Sequence, residues 1–422
     1  MFQNFGKVQP AETSLSCKSH KLMLYNEIIQ QCHPGHYHIL PLGMRSLEKL
    51  IRVIDEEMDS IGAQKISMPC ITPLSFWKKS GRWQIKELYK LKNRQDQEFC
   101  INPTHEESVS LLFSCHAPFT AKEAPIMLYQ ISRKFRDEMA PKYALLRGRE
   151  FEMKDLYTFD SCLEKAKETY ENVCFAYEKI FNRLQVPFVK VEASTGDIGG
   201  KISHEFHLPS NIGEDILYIC KGCNHGVNKE LIDQSKEQQC PKCGGDLHFT
   251  SGIEVGHAFL LGQKYSSIFK ATFIDKNDNI IPSQMGCFGL GVTRILQAGI
   301  EVLSLDRQIR WPKLIAPYQL CIIPQKEGYQ SKETMDLAMA LSDQIINMPN
   351  LNGEVVIDDR LHMTIGKRLY EAKRIGYPHI VIVGKRALES PPQFEVILPE
   401  WQECQFMSVD CLCQILSGVK TI

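Results

Sequence analysis

Four arginines crowd one stretch of the chain, ISRKFRDEMAPKYALLRGREFEMKDLYTF, between Ile131 and Phe159. Arg133, Arg136, Arg147 and Arg149 alternate there with Asp137, Glu138, Glu150 and Asp155, and Phe135, Phe151, Tyr157 and Phe159 are set among them. A solvated charged face would show helical spacing and would not need an aromatic ring every few residues. Phe135, Glu150 to Met153 and Tyr157 to Phe159 read instead as two short strands joined by a basic loop. Such a hairpin offers a ring to a purine and guanidinium forks that meet phosphate oxygens two at a time. A plain surface hairpin is the alternative.

Three other groupings have chemical potential. In GLGVTRILQAGIEVL, Gly289 and Gly291 close a strand onto a helix running to about Leu303, and Arg294 stands where a dinucleotide fold would carry glycine. One turn inside the helix, Arg294 points back toward the strand ends, where phosphate would sit. FCINPTHEE, Phe99 to Glu107, reads as a short strand, a turn and a helix start. Thr104 as N-cap with Glu106 and Glu107 in the first turn accounts for these residues by helix-end electrostatics alone. A hydroxyl and a carboxylate converging there would equally hold a small cationic amine. Cys220, Cys223, Cys240 and Cys243 form CKGC and CPKC, with sixteen residues between the two knuckles. Each knuckle presents two sulfurs, and the pair fits one closed, tetrahedral structural zinc site; two reduced turns without metal are the alternative.

Regular elements have to hold these groups. Met44, Leu47, Leu50, Ile51, Ile54, Met58 and Ile61 recur at helical spacing, and Gly62 supplies a left-handed stop. Ala63 to Pro73, containing KISMPCI, reads as a strand interrupted by Pro69 and hence at a sheet edge. An edge strand after a long helix suits a dimer surface, and equally a plain helix-strand unit. Helices are expected from His20 to Gln30 and from Asp160 to Leu184, the second capped by Asp160 or Ser161 with Glu164 completing a capping box. Pro187 to Glu192 and His204 to Leu208 read as strands around TGDIGG; Gly252 to Tyr265, Lys270 to Asp275 and Ser283 to Phe288 also read as strands. Trp311 to Pro317 is a proline-punctuated linker that marks a domain boundary. Strand and helix alternate beyond it, giving a small α/β domain with a mixed or parallel sheet. There Arg360, Lys367, Arg368, Lys373, Arg374, Lys385 and Arg386 stand against Glu371, a one-sided patch suited to a phosphate backbone or, in the ordinary alternative, to water.

With 422 residues the chain exceeds a single core, so two or three domains are expected. No apolar run approaches the roughly eighteen residues of a membrane span and no secretory apolar block opens the chain, so a soluble protein with no membrane partner is expected. A net charge of −1 leaves any RNA contact to local patches. Sixteen cysteines without a secretion signal point to a reducing compartment. Lys7, Lys18 and Lys21 with Glu12 make a poor targeting peptide, having neither arginine nor an amphipathic repeat.

These stretches together resemble the class II aminoacyl-tRNA synthetases, and among them the prolyl-tRNA synthetases of bacterial and mitochondrial type, from about His20 to Leu398. The helix ending at Gly62 with the strand around Pro69 resembles the family's first motif, the dimer interface. FRDE at Phe135 to Glu138 with LLRGREF at Leu145 to Phe151 resembles the second, and GCFGLGVTR at Gly286 to Arg294 the third. PTHEE at Pro103 to Glu107 and GIEVGHAFLLG at Gly252 to Gly262 are similar to prolyl motifs; threonyl enzymes would carry a zinc-binding cysteine where Pro103, Thr104 and His105 stand. VVIDDR, IGKRL and GYPHIVIVGKR resemble the anticodon-binding module of the subclass.

The resemblance implies an α/β (α+β) fold, with an antiparallel class II catalytic domain over residues 1–310, a small four-cysteine insert at 215–250, and an α/β anticodon-binding domain over 311–422. It implies a homodimer that activates proline with ATP and transfers it to tRNA(Pro). Arg136 would bind the α-phosphate and the proline carboxylate, Phe151 would stack on adenine, and Glu138 or nearby backbone would read the adenine amino group. Arg147 and Arg294 would hold the β- and γ-phosphates with magnesium. Thr104 and Glu106 would receive the ammonium of proline, and His257, Phe259 and Cys287 would line the pocket for its ring. Arg360, Lys367, Arg368, Lys385 and Arg386 would meet the anticodon. Residues 160–285 are too few for the large editing insertion of many bacterial members, so hydrolysis of misacylated tRNA in cis is expected to be absent. The compact form suits the mitochondrial matrix, with a bacterial cytoplasm as alternative. A non-catalytic tRNA-binding relative is the competing reading, and it would be expected to lose Arg136, Arg147 and Arg294.

Overall fold

Nine strands build the sheet that carries the arginine hairpin: β1 (Gln64–Lys65), β2 (Ile126–Phe135), β3 (Glu150–Asp160), β4 (Val189–Glu192), β5 (Ile202–Pro209), β6 (Asp215–Cys220), β7 (Gly226–Asn228), β8 (Leu247–Gly262) and β9 (Gln284–Gly291). The computed structural model describes residues 17–422 except 197, 224, 233–238, 329 and 399–403. Lys7 and Glu12 of the targeting reading and Asp197 of TGDIGG lie outside the described residues. Across the sheet the order is β5-β4-β7-β6-β8-β9-β3-β2-β1, with a second pairing between β5 and β8. The pairings are antiparallel except β1 with β2 and β4 with β7.

Side chains alternate between the two faces of each strand. Along β3 this sends Tyr157 and Phe159 into a core with Phe259 of β8 and with Val109 and Phe113 of the helix Glu106–Ser114. Lys154, one step out of phase, reaches the hydroxyl of Tyr177. The helices are α1 (Lys18–Tyr25), α2 (Pro41–Ser60), α3 (Leu74–Ser80), α4 (Glu106–Ser114), α5 (Leu163–Leu184), α6 (Lys264–Phe269) and α7 (Val292–Leu303). Tyr177 lies on the apolar stripe of α5, which buries Tyr170, Val173, Ile180 and Leu184 as its spacing requires.

The chain divides into two compact units, one of residues 31–38 and 50–302, the other of residues up to 30, 39–49 and 303–422. The second unit holds a five-stranded sheet of β10 (Leu320–Pro324), β11 (Val355–Ile357), β12 (His379–Val383), β13 (Phe394–Ile397) and β14 (Gln405–Met407), ordered β11-β10-β12-β13-β14. The first three run parallel and the last two antiparallel, a mixed sheet. Helices α8 (Ser331–Ile346), α9 (Ile365–Ile375) and α10 (Val409–Ser417) complete the alternation. Gly376 ends α9 at φ +88°, and a Cβ there would meet the Ile309 carbonyl at 2.2 Å, so only glycine fits.

Several local expectations are corrected. The helix expected from His20 to Gln30 stops at Tyr25, because Asn26 folds its side-chain amide onto the Leu22 carbonyl (2.8 Å) and Ile29–His33 is already a strand. KISMPCI is not one strand: only Gln64–Lys65, at the sheet edge, and Ile71–Pro73 pair, and Pro69 lies between them. Neither Asp160 nor Ser161 caps α5; Cys162 occupies that position without a side-chain cap, and Asp160 accepts instead from Thr169 Oγ1 at 2.8 Å. Thr104 is not the cap of α4 either. His105 takes the N-cap position, and Thr104 turns its hydroxyl to Glu106.

Candidate active site

The loop between β2 and β3, together with the start of α7, brings three guanidinium groups to one hollow. Arg136, Arg147 and Arg294 line a cavity of about 250 Å³ with Glu138, Glu214 and Glu254 among the other walls. Arg136 follows β2 directly and is pinned through its backbone N–H to the Arg149 carbonyl (2.9 Å). Its Cζ lies 5.3 Å from the centroid of the Phe151 ring, and Phe151 itself is not among the wall residues. Burial, reinforced by the charge of Arg294, lowers the Arg136 pKa. Two like charges held this close, with the Arg136 Nε buried and unpartnered, make a site that gains by receiving an anion. Arg147 is held from two sides, by Glu138 Oε1 and Glu214 Oε2, both at 2.6 Å. Arg294 Nη1 donates to the backbone carbonyl of Glu254, in the middle of β8 (2.9 Å). The remaining hairpin arginines do other work: Arg149 Nε ties the loop to the Glu138 carbonyl, and the exposed Arg133 pairs with Glu150. Gly213 closes the wall, since a Cβ on it would meet Gly252 backbone atoms at 2.3 Å.

A second, buried polar centre lies under the sheet. Glu106 is wholly buried and accepts from Thr104 Oγ1 (2.7 and 2.9 Å), Arg82 Nη1 (2.9 Å) and the Cys287 thiol (3.2 Å). Burial works against its charge, but Arg82 and Thr104 outweigh it and leave the Glu106 pKa lowered. Burial and the Glu106 charge push the Cys287 thiol well up, consistent with a protonated donor. The Tyr157 hydroxyl accepts from the His105 backbone N–H (2.8 Å) and fixes the PTHEE turn against β3. Across the β8–β9 ladder Phe259 stands opposite Cys287, and His257 stacks on Phe259 with ring centroids 3.8 Å apart. His257 Nδ1 lies 3.2 Å from Glu254 Oε1, and Glu254 Oε2 lies 3.3 Å from Arg294. Thus Glu254 joins the ring-lined centre to the arginine-lined cavity. Partial burial opposes its ionisation, yet His257 and Arg294 hold its pKa well below the carboxylate range.

The four knuckle cysteines also converge. Cys220 and Cys243 Sγ are 3.4 Å apart, Cys223 and Cys240 Sγ 3.6 Å, and all four lie within 4.8 Å of one another. Thiolates around one zinc at about 2.3 Å stand about 3.8 Å apart, so the set fits a tetrahedron. The Gly222 N–H directed at Cys220 Sγ (3.3 Å) would further orient that ligand.

In the second unit the basic residues separate. Lys367, Lys385 and Arg386 are exposed, and Arg386 lies over the Phe406 ring at 4.2 Å. Arg368 is fully buried and donates to the Asp358 and Pro324 carbonyls, so it is not on the surface expected of it. Arg360 is half-buried and held by Asp358 and Glu371. Reading by sign of charge could not foresee this, because Asp358 precedes the counted patch. The same reasoning passed over Arg82, Glu214 and Glu254, although GIEVGHAFLLG contains the last.

The tRNA synthetase class II core domain (G, H, P, S and T) matches residues 89–303, and the anticodon binding domain matches residues 319–412. The probable mitochondrial proline–tRNA ligase of Homo sapiens is 49% identical over 418 residues, 98% of this chain and 88% of that protein. The corresponding protein of Schizosaccharomyces pombe is 40% identical over 95% of this chain and 93% of its own length. A proline–tRNA ligase from Sulfurimonas denitrificans is 37% identical over 90% of each. Among solved structures, prolyl-tRNA synthetase from Cryptosporidium parvum complexed with L-proline and AMP superposes with a TM-score of 0.77 at 19% identity, over 95% of this chain and 75% of that one. The Giardia lamblia enzyme in complex with prolyl-adenylate gives 0.77 at 19% identity, over 93% and 73%. A fold shared with these structures and long alignments to proline–tRNA ligases make the chain a member of the prolyl-tRNA synthetase family of class II aminoacyl-tRNA synthetases.

Proposed function

We propose that the chain activates proline and charges tRNA(Pro) through the two linked centres just described. ATP lies in the cavity of Arg136, Arg147 and Arg294. Arg136 binds the α-phosphate and the proline carboxylate, which sets the carboxylate for in-line attack on phosphorus and stabilises the charge that develops there. Arg147 and Arg294 hold the β- and γ-phosphates; Phe151 stacks on adenine and Glu138 or adjacent backbone reads its amino group. Thr104 and Glu106 take the secondary ammonium of proline, and His257, Phe259 and Cys287 surround its ring. Attack forms prolyl-adenylate and releases pyrophosphate. The 3′ ribose hydroxyl of the tRNA then attacks the acyl carbon and AMP leaves, so no protein nucleophile is used. Magnesium, which prefers hard oxygen ligands, would be held by Glu254 beside the phosphates and would neutralise their charge. Cys220, Cys223, Cys240 and Cys243 would hold a structural zinc ion. Lys367, Lys385 and Arg386 present the exposed cations of the anticodon-binding unit. A homodimer in mitochondria agrees with the first motif and with the mitochondrial relatives.

The observation that carries this reading is the meeting of three arginines, distant along the chain, at one cavity, where Glu254 joins Arg294 to His257. Proline-dependent pyrophosphate exchange tests it. Arg136→Ala and Arg294→Ala should each lower exchange by about a hundredfold or more, the scale of removing one preorganised donor from a transition state. Exchange driven by threonine or serine in place of proline, or unchanged in both variants, would refute it.

A further inference from the structure

Behind Glu106 lies a guanidinium that the reaction itself does not call for. Gly81, at φ +79°, ends α3 in the left-handed region, and the next N–H, that of Arg82, returns to the Trp77 carbonyl at 2.9 Å. This reversal sends the Arg82 side chain inward, its Cζ 5.2 Å from the Trp77 ring and 5.7 Å from the Tyr265 ring. Arg82 Nη1 donates to Glu106 Oε2 (2.9 Å) and to Glu107 Oε1 (3.1 Å), and Ser80 Oγ donates to Glu107 Oε1 (2.7 Å). The three charged side chains are 8%, 0% and 2% exposed.

Two buried carboxylates thus share one cation, which among the described residues is the one ion-paired to either of them. Nearby groups do not close the balance. Asp155 already pairs with Lys134 at 2.7 Å, the thiol of Cys287 and the hydroxyls of Tyr157 and Tyr265 are held neutral, and burial keeps His105 neutral. Burial raises Glu107, while Arg82 and Thr104 outweigh burial at Glu106, so Glu106, the residue that touches Thr104 and Cys287, is the carboxylate held ionised, and with one guanidinium shared between the two the pair is short of a cation. A buried unpaired charge is costly and favours the arrival of a counter-ion.

We infer that Arg82 is a positioning residue, which fixes the Glu106 carboxylate for the imino acid and, with Glu107, leaves the pocket one cation short until the ammonium of proline completes it. The inference rests on the proposed pairing of Glu106 with that ammonium. The test is pyrophosphate exchange with KM for proline and KM for ATP measured separately, in Arg82→Met, Arg82→Lys and Glu106→Gln. It is joined by inhibition by tetrahydrofuran-2-carboxylate, in which ring oxygen replaces the charged nitrogen. Arg82→Met should raise KM for proline about thirtyfold or more and leave KM for ATP within about threefold. The preference for proline over the oxygen analogue should fall at least about tenfold, because a merely structural defect weakens both ring compounds alike. Arg82→Lys, which keeps the charge but not the fork, should lie between parent and Arg82→Met, and it carries the test alone if Arg82→Met does not fold. Parallel loss of ATP and proline affinity, or an unchanged preference, overturns the role of Arg82. An unchanged KM for proline in Glu106→Gln would instead overturn the pairing on which the inference rests.

Discussion

His105 stands between Thr104 and Glu106 in the chain, beside Asp155 of the hairpin, and is built to stay neutral. Its Nε2 is 3.0 Å from the Pro69 carbonyl, which only accepts, so Nε2 carries the proton and Nδ1 is left bare 3.7 Å from Asp155. Burial first, and the charge of Lys134 second, lower its pKa to about 4. The unfolded ring titrates near about 6.5. As pH falls below that value the unfolded chain takes a proton that the folded chain refuses until about 4, so this contribution is present above pH 6.5 and is lost on the way down. The loss amounts to roughly 3 kcal/mol at most. Thermal unfolding followed from pH 7.5 to 4.5 should therefore fall less steeply in His105→Gln than in the parent; equal slopes would sink the assignment. At this scale the sequence was legible where a residue's neighbours in space are also its neighbours in sequence. Arg136 and Arg147 could be singled out from their own loop. Arg82 could not, because the carboxylates it holds are 24 and 25 residues away and no periodicity connects them.

The elements that read most clearly were those whose period is fixed by burial on one face. Helices α2, α5 and α7 came within a few residues of their observed ends, whereas the hairpin strands, read as short pieces at Phe135, Glu150–Met153 and Tyr157–Phe159, run to ten and eleven residues, with β2 beginning at Ile126. Ends set by side-chain hydrogen bonds were misjudged. A hydroxyl such as that of Thr104 has several acceptors within reach, and tertiary structure offered it Glu106. The cysteine knuckles sit between these cases, because CxxC fixes its own geometry while the meeting of the two pairs needs β6 and β8 to run side by side from Cys220 to Leu247. Zinc there is expected to tie together a segment with little apolar interior of its own. Freshly purified, reduced protein should contain about one zinc per chain, and chelation should lower the thermal midpoint. Less than about half an ion per chain would remove the metal from the account.

For the molecule as a whole, the expected boundary near Trp311 concerns only one of the places where the chain changes unit. Residues 17–30 and 39–49 gather with 303–422, and buried polar contacts hold them there. Lys49 Nζ, almost fully buried, donates to the Ala316 carbonyl (2.7 Å) and Glu354 Oε2 (2.5 Å); Lys18 Nζ reaches the Ser304 carbonyl (2.6 Å), and Arg374 Nε the side chain of Asn26 (2.8 Å). Such pairings link residues about 270 to 350 positions apart and leave no trace in local composition. Removing one partner of a buried pair strands the other, so Lys49→Met should cost about 3 kcal/mol in denaturant unfolding. Glu354→Gln in the same background should return part of that, and a Lys49→Met variant as stable as the parent would show that Arg45 alone suffices for Glu354.

The way residues 17–30 are stitched to the far end of the polypeptide also bears on its birth. Residues 39–49 of the same unit follow them at once, but residues 303–422 are made only after residues 50–302. At roughly 5–20 residues per second, more than about ten seconds pass before the unit that hides Leu22 and Met23 is complete. A nascent chain in that condition is a client for any chaperone that grips short greasy segments.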